Sequence, residues 1–122
     1  MIVLAVALIL AATLRPIGGE PGAGGPGCLG IPCTAGHLVA FALLGVPLAL
    51  RFATSAVARR SPRRALAMLV LAIWLFAAST ELAQGQIEGR DPDVRDWAAD
   101  MLGAALGLAA GSVGLRWLFD RD

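Results

Sequence analysis

Residues 65–84 read ALAMLVLAIWLFAASTELAQ, and the first charge in that stretch is Glu81. A helix that crosses a bilayer needs about 20 mostly apolar residues. This segment meets that need by itself. Three more apolar segments share its character. Residues 1–14 carry no charge and end at Arg15-Pro16, residues 35–50 are interrupted only by His37, and residues 97–119 hold Asp100 near one end and Arg116 near the other. With their flanks, the spans are expected at about 1–16, 35–53, 64–85 and 96–119. The fold class that follows is all-α: an integral membrane four-helix bundle formed by a single domain over 1–122.

Composition agrees. The chain is 57% hydrophobic and 16% charged, against roughly 45–50% apolar in soluble domains. The charges cluster, which a bilayer requires, because a charge at its centre costs about 2.5–3.5 kcal/mol on insertion scales. The net charge of +1 gives no case for nucleic acid as a partner. The first segment is short, about 21 Å for its 14 residues. It is read as a span and not as a signal peptide, since no basic stretch precedes it. Pro47 in the second span is tolerable there. Residues 17–34, rich in Gly and Pro, form a flexible linker outside the membrane. Cys28 and Cys33 lie in that linker, in a spacing that fits neither a zinc pair nor a redox motif, and can pair with each other on the oxidising side.

Arginine counts set the orientation. Residues 51–64 hold Arg51, Arg59, Arg60, Arg63 and Arg64 and no acid, so this loop is cytoplasmic. Residues 85–96 hold Arg90 and Arg95 against Glu88, Asp91, Asp93 and Asp96, so this loop faces outside, as does 17–34. Both termini are then cytoplasmic.

With that topology, one group of polar residues in the spans falls at the outer side. His37 heads the second span, Glu81 and Gln84 close the third, and Asp96 and Asp100 open the fourth. Each lies about 5–8 Å below the interface. Glu81 and Gln84 (i, i+3) share a helix face, and so do Asp96 and Asp100 (i, i+4). Down the aspartate face run Gly103, Gly107, Gly111 and Gly114, small residues of the kind that let spanning helices approach closely. The same stripe is compatible with a homo-oligomer. His37, Phe41 and Gly45 line one face of the second span. Asp96 has a plainer reading as the N-cap of the fourth helix. A buried acid needs a partner, and Arg90 is the nearest, with Arg95 beside it. One arginine does not balance two carboxylates, which leaves a protonated acid, a bound cation or a shared proton.

Glu81-x-x-Gln84, then Arg90, then Asp96-x-x-x-Asp100-x-x-Gly103-x-x-x-Gly107 resembles the signature of the VanZ-like family. His37 followed by Phe41 adds to the likeness, which covers roughly residues 33–110. The resemblance implies a small multi-pass protein of the bacterial cytoplasmic membrane with a cell-envelope role; the named member is associated with resistance to teicoplanin. Two positions depart from the pattern. The Asp-Lys that family members often carry ahead of the histidine is replaced by Cys33 and Thr34, which removes a cation. Asp100 stands where Asn is common, which adds a carboxylate and favours a charged or metal-bound site.

Two functions compete. In the first, His37, Glu81, Gln84, Arg90, Asp96 and Asp100 bind the anionic head group of a lipid-linked cell-wall intermediate or otherwise alter glycopeptide susceptibility, with Arg90 as the clamp. In the second, the chain is a membrane-embedded enzyme on a lipid-linked substrate, with His37 as acid or base and the carboxylates holding a divalent metal. No motif demands a cofactor, and no nucleophile stands in a known motif. A transporter ranks last, because transport sites sit near the midplane. The topology has a direct check. Cysteines introduced at Gly24 and Gly89 should react with an impermeant thiol reagent applied from outside, and one at Ser61 should not; the reverse pattern would overturn the orientation.

Overall fold

The computed structural model describes residues 2–13, 33–87 and 92–119. The described residues are helical, with no strand among them. In chain order the helices are α1 (Ile2–Thr13), α2 (Cys33–Thr54), α3 (Ala56–Arg60), α4 (Pro62–Gln84) and α5 (Val94–Phe119). α2, α4 and α5 each begin two residues ahead of the expected spans. Cys33 and Thr34 are therefore helical and not linker. The rest of the expected linker, Arg90, and any pairing of Cys28 with Cys33 lie outside the described residues and side chains.

The arginine-rich connection contains a helix that hydropathy does not reveal. Ser55 caps α3, its side chain accepting from the Ala58 N–H. The Arg59 guanidinium donates to the Thr54 carbonyl at 2.9 Å, satisfying an orphan acceptor at the end of α2. Ser61 ends α3, and Pro62 opens α4, where its missing N–H costs nothing. The reversal between α2 and α4 is thus short and built from local hydrogen bonds.

The main contact is between α2 and α5, with α1 against α2, α4 against α5 and, more lightly, α1 against α4. The two backbones of the main pair touch. A Cβ built on Gly45 would lie 2.6 Å from the Ala104 carbonyl oxygen, and one on Gly107 would collide with the Ala42 carbonyl oxygen. Gly103 meets the Leu38 carbonyl in the same way, and Gly111 meets Ala49. The stripe stops there: among the described residues nothing faces Gly114. Around this pair the core gathers Ile9, Phe41, Leu44, Ile73, Ala77 and Ala104. Phe41 and Phe76 pack with ring centroids 5.7 Å apart. Trp74 and Trp97 meet edge to face and join α4 to α5.

Two helices, Thr34–Thr54 and Pro62–Gln84, are long and apolar enough to cross a membrane. Their outward faces carry large exposed apolar side chains, among them Leu43, Leu66, Met68, Leu71, Trp74 and Leu82. A continuous apolar surface of this kind suits lipid and not water. Leucine at position 107 should force α2 and α5 apart, costing about 1–3 kcal/mol, whereas Gly114→Leu should be neutral. Thermal unfolding in detergent decides this, and equal melting of the two variants would remove the close contact.

Candidate functional site

At one end of the molecule, α2, α4 and α5 bring polar side chains together in the interior. His37, Thr80, Glu81, Gln84, Asp96 and Asp100 are all buried, and Asp100 is 0% exposed. The glycine contacts account for the α2–α5 part of this. Gly103 sits against the Leu38 backbone, so His37, the residue before Leu38, and Asp100, one turn before Gly103, are brought face to face. Glu81 and Gln84 arrive from the last turn of α4. Gly85, which ends α4, lies so close to Pro92 that a Cβ there would come within 2.7 Å of the ring, which turns the chain back toward α5.

His37 is the hub. Its Nδ1 lies 2.8 Å from Asp100 Oδ1 and 3.7 Å from Glu81 Oε1. Its Nε2 lies 3.8 Å from Asp96 Oδ2 and 3.4 Å from the Gln84 side-chain nitrogen. With Asp100 ionised and the imidazole neutral, Nδ1 donates to Asp100, and Nε2 is left to accept from the Gln84 amide. Glu81 Oε2 accepts the Asp93 N–H at 3.0 Å. Asp96 Oδ1 accepts from the Thr34 hydroxyl at 2.5 Å. Two oxygens remain without a hydrogen bond among the described residues, Glu81 Oε1 and Asp100 Oδ2.

Five of the six ligand positions expected from the sequence therefore stand in one cluster: His37, Glu81, Gln84, Asp96 and Asp100. Arg90, the sixth, lies outside the described residues. The expected pairing of the acids with Arg90 lies outside the described residues as well. Among the described residues, the ion-pair contacts of the acids run to His37, and Arg95 is exposed. Asp96 is not the cap of α5. Asp93 has that role, its Oδ1 accepting the Arg95 N–H at 2.8 Å, which leaves Asp96 free to point inward.

Sequence reasoning missed Thr34 and Asp93. Thr34 lies one turn before His37 on the same face of α2, and that spacing was the available signal. Asp93 contributes its backbone N–H, which no sequence pattern announces. Chemically, the cluster offers a histidine oriented by a carboxylate, the arrangement of a general acid or base. It also offers three carboxylates against one imidazole, an excess of negative charge that the buried setting makes costly.

The family described as VanZ/LLP1 matches residues 3–115. No curated protein matches the chain, and no solved structure does. The matched stretch takes in α2, α4, the turn to α5 and every residue of the buried cluster, as well as the glycines that bring α2 and α5 together. With nearly its whole length covered, the chain belongs to the VanZ/LLP1 family.

Proposed function

We propose that this protein is a multi-pass component of the bacterial cytoplasmic membrane. In this reading α1, α2, α4 and α5 form a four-helix bundle with both termini cytoplasmic, and the polar cluster opens toward the outer face. There it engages the anionic head group of a lipid-linked cell-wall intermediate, and so modifies susceptibility to glycopeptides such as teicoplanin. The observation that carries this reading is the segregation of polar groups. His37, Glu81, Gln84, Asp96 and Asp100 lie buried at one end of the helices, and Arg59, Arg60, Arg63 and Arg64 lie exposed at the other. The arginine-rich end belongs in the cytoplasm, which leaves the buried cluster at the level of the outer head groups.

Arg90 is the residue in this reading that clamps phosphate or carboxylate, because its guanidinium matches both in a bidentate fashion. The carboxylates and Gln84 accept hydroxyl and amide protons of the sugar or peptide moiety. A second reading has one specific observation in its favour. The 2.8 Å contact of His37 Nδ1 with Asp100 orients the imidazole as a general base does, which supports an enzyme acting on the same class of lipid-linked substrate.

Neutral replacements test the binding reading. Glu81→Gln and Arg90→Gln should each abolish function, measured as teicoplanin tolerance or as lipid retained by the purified protein. The double variant should be no worse than either single one, because the two residues act as a unit. Full activity in both folded single variants would reduce the cluster to a structural role.

A further inference from the structure

Among the described residues, one imidazole nitrogen and two carboxylate oxygens, from His37, Glu81 and Asp100, lie within 4.8 Å of one another. All three side chains are more than nine-tenths buried. Each of the two acids has one buried oxygen that no hydrogen bond satisfies, Oε1 of Glu81 and Oδ2 of Asp100. A buried polar atom without a partner costs about 1–3 kcal/mol, and more when charged. Two such atoms beside one histidine call for something that binds them both.

We propose that His37, Glu81 and Asp100 form a site for one divalent metal ion of the zinc class, which ties α4 to the α2–α5 pair. This stands independently of the head-group reading. The charges match: two carboxylates and a neutral imidazole neutralise a divalent cation, whereas a protonated imidazole cancels only one of the two. The spacing matches too. Zinc bonds to histidine and carboxylate of roughly 2.0–2.2 Å set tetrahedral ligand atoms about 3.4 Å apart. His37 Nδ1 lies 3.7 Å from Glu81 Oε1, near that value, and 2.8 Å from Asp100 Oδ1, a hydrogen-bond separation that opens when an ion takes the place of the proton. The imidazole selects against magnesium and calcium, which take oxygen ligands. Three protein ligands leave a fourth position open, as in zinc sites that bind water or a substrate oxygen.

The neighbours suit the outer shell of such a site. With Nδ1 on the metal, the imidazole proton moves to Nε2. Gln84 then presents its amide oxygen instead of its nitrogen, which a half-turn of the amide accomplishes. Protons held by the carboxyls or the imidazole leave on binding, so affinity falls as the pH is lowered. The mechanical effect falls on α4. Its packing on α5 is slight, and Glu81 is the side chain through which the metal would hold its outer end.

Titration of the chelator-stripped protein in detergent with zinc tests this. One ion should bind per chain and raise the melting temperature, while magnesium at the same concentration should do neither. X-ray absorption of the zinc-loaded protein should show nitrogen and oxygen neighbours at about 2.0–2.2 Å and no sulfur at about 2.3 Å. His37→Gln and Glu81→Gln should weaken binding by more than the roughly 10–100-fold that loss of an outer-shell partner costs, and Ser79→Ala, on the outward face, should not change it. No binding and no change in melting, a sulfur shell that assigns the ion to the cysteines, or unchanged affinity in folded His37→Gln and Glu81→Gln would each overturn the site. Should those variants fail to fold, the titration and the absorption spectrum of the unaltered protein decide. Because lipid takes no part in these measurements, failure of the metal site leaves the head-group reading to its own test.

Discussion

The backbones of α2 and α5 touch, and the rest of the structure depends on that contact. Gly45, Gly103, Gly107 and Gly111 occupy the seam, and the first three leave no room for even a methyl group against the facing backbone. In a bilayer, apolar side chains gain little by leaving lipid, so close van der Waals packing of small residues supplies the association. The consequence for chemistry is register. Once Gly103 is seated against Leu38, His37 and Asp100 have one relative position, and a hydrogen bond of 2.8 Å forms between them in the interior.

Burial then governs the electrostatics. Three carboxylates surround one imidazole, and α4 adds an amide. Thr34 and the Asp93 N–H relieve part of the demand. Such a cluster is weak support for stability, since the cost of desolvating buried charges rivals their attraction. In the proposed function it is the part of the fold that binds. A proton or a metal ion would be drawn to these oxygens, whereas an anionic head group would meet them only through its hydroxyl and amide protons, with its charge held by a cation.

Much of this was legible in the sequence. Uncharged length gave the helices at 35–53, 64–85 and 96–119, each of which begins two residues earlier. Helical spacing put Glu81 with Gln84 and Asp96 with Asp100, and the glycine stripe pointed the aspartates inward. What escaped depends on short-range geometry. The five-residue α3 is too short to show periodicity, and only its flanking serines, Ser55 and Ser61, hint at it. Asp96 looked like a cap because Asp is good at capping; the real cap, Asp93, lies three residues earlier and has the same chemistry. Thr34 stood out as a lost cation and turned out to be a hydrogen-bond donor. Gly114 continues the stripe in sequence, but no neighbour among the described residues faces it.

The central claim is that α2, α4 and α5 hold one buried polar cluster centred on the single histidine of the chain. Histidine-selective nitrogen-15 NMR tests it most directly, because one imidazole gives one pair of resonances. In this account the Nδ1 resonance moves on Asp100→Asn and again on Glu81→Gln, and the ring is shielded from water-soluble paramagnetic agents. A pair of resonances indifferent to both substitutions and fully broadened by those agents would contradict it.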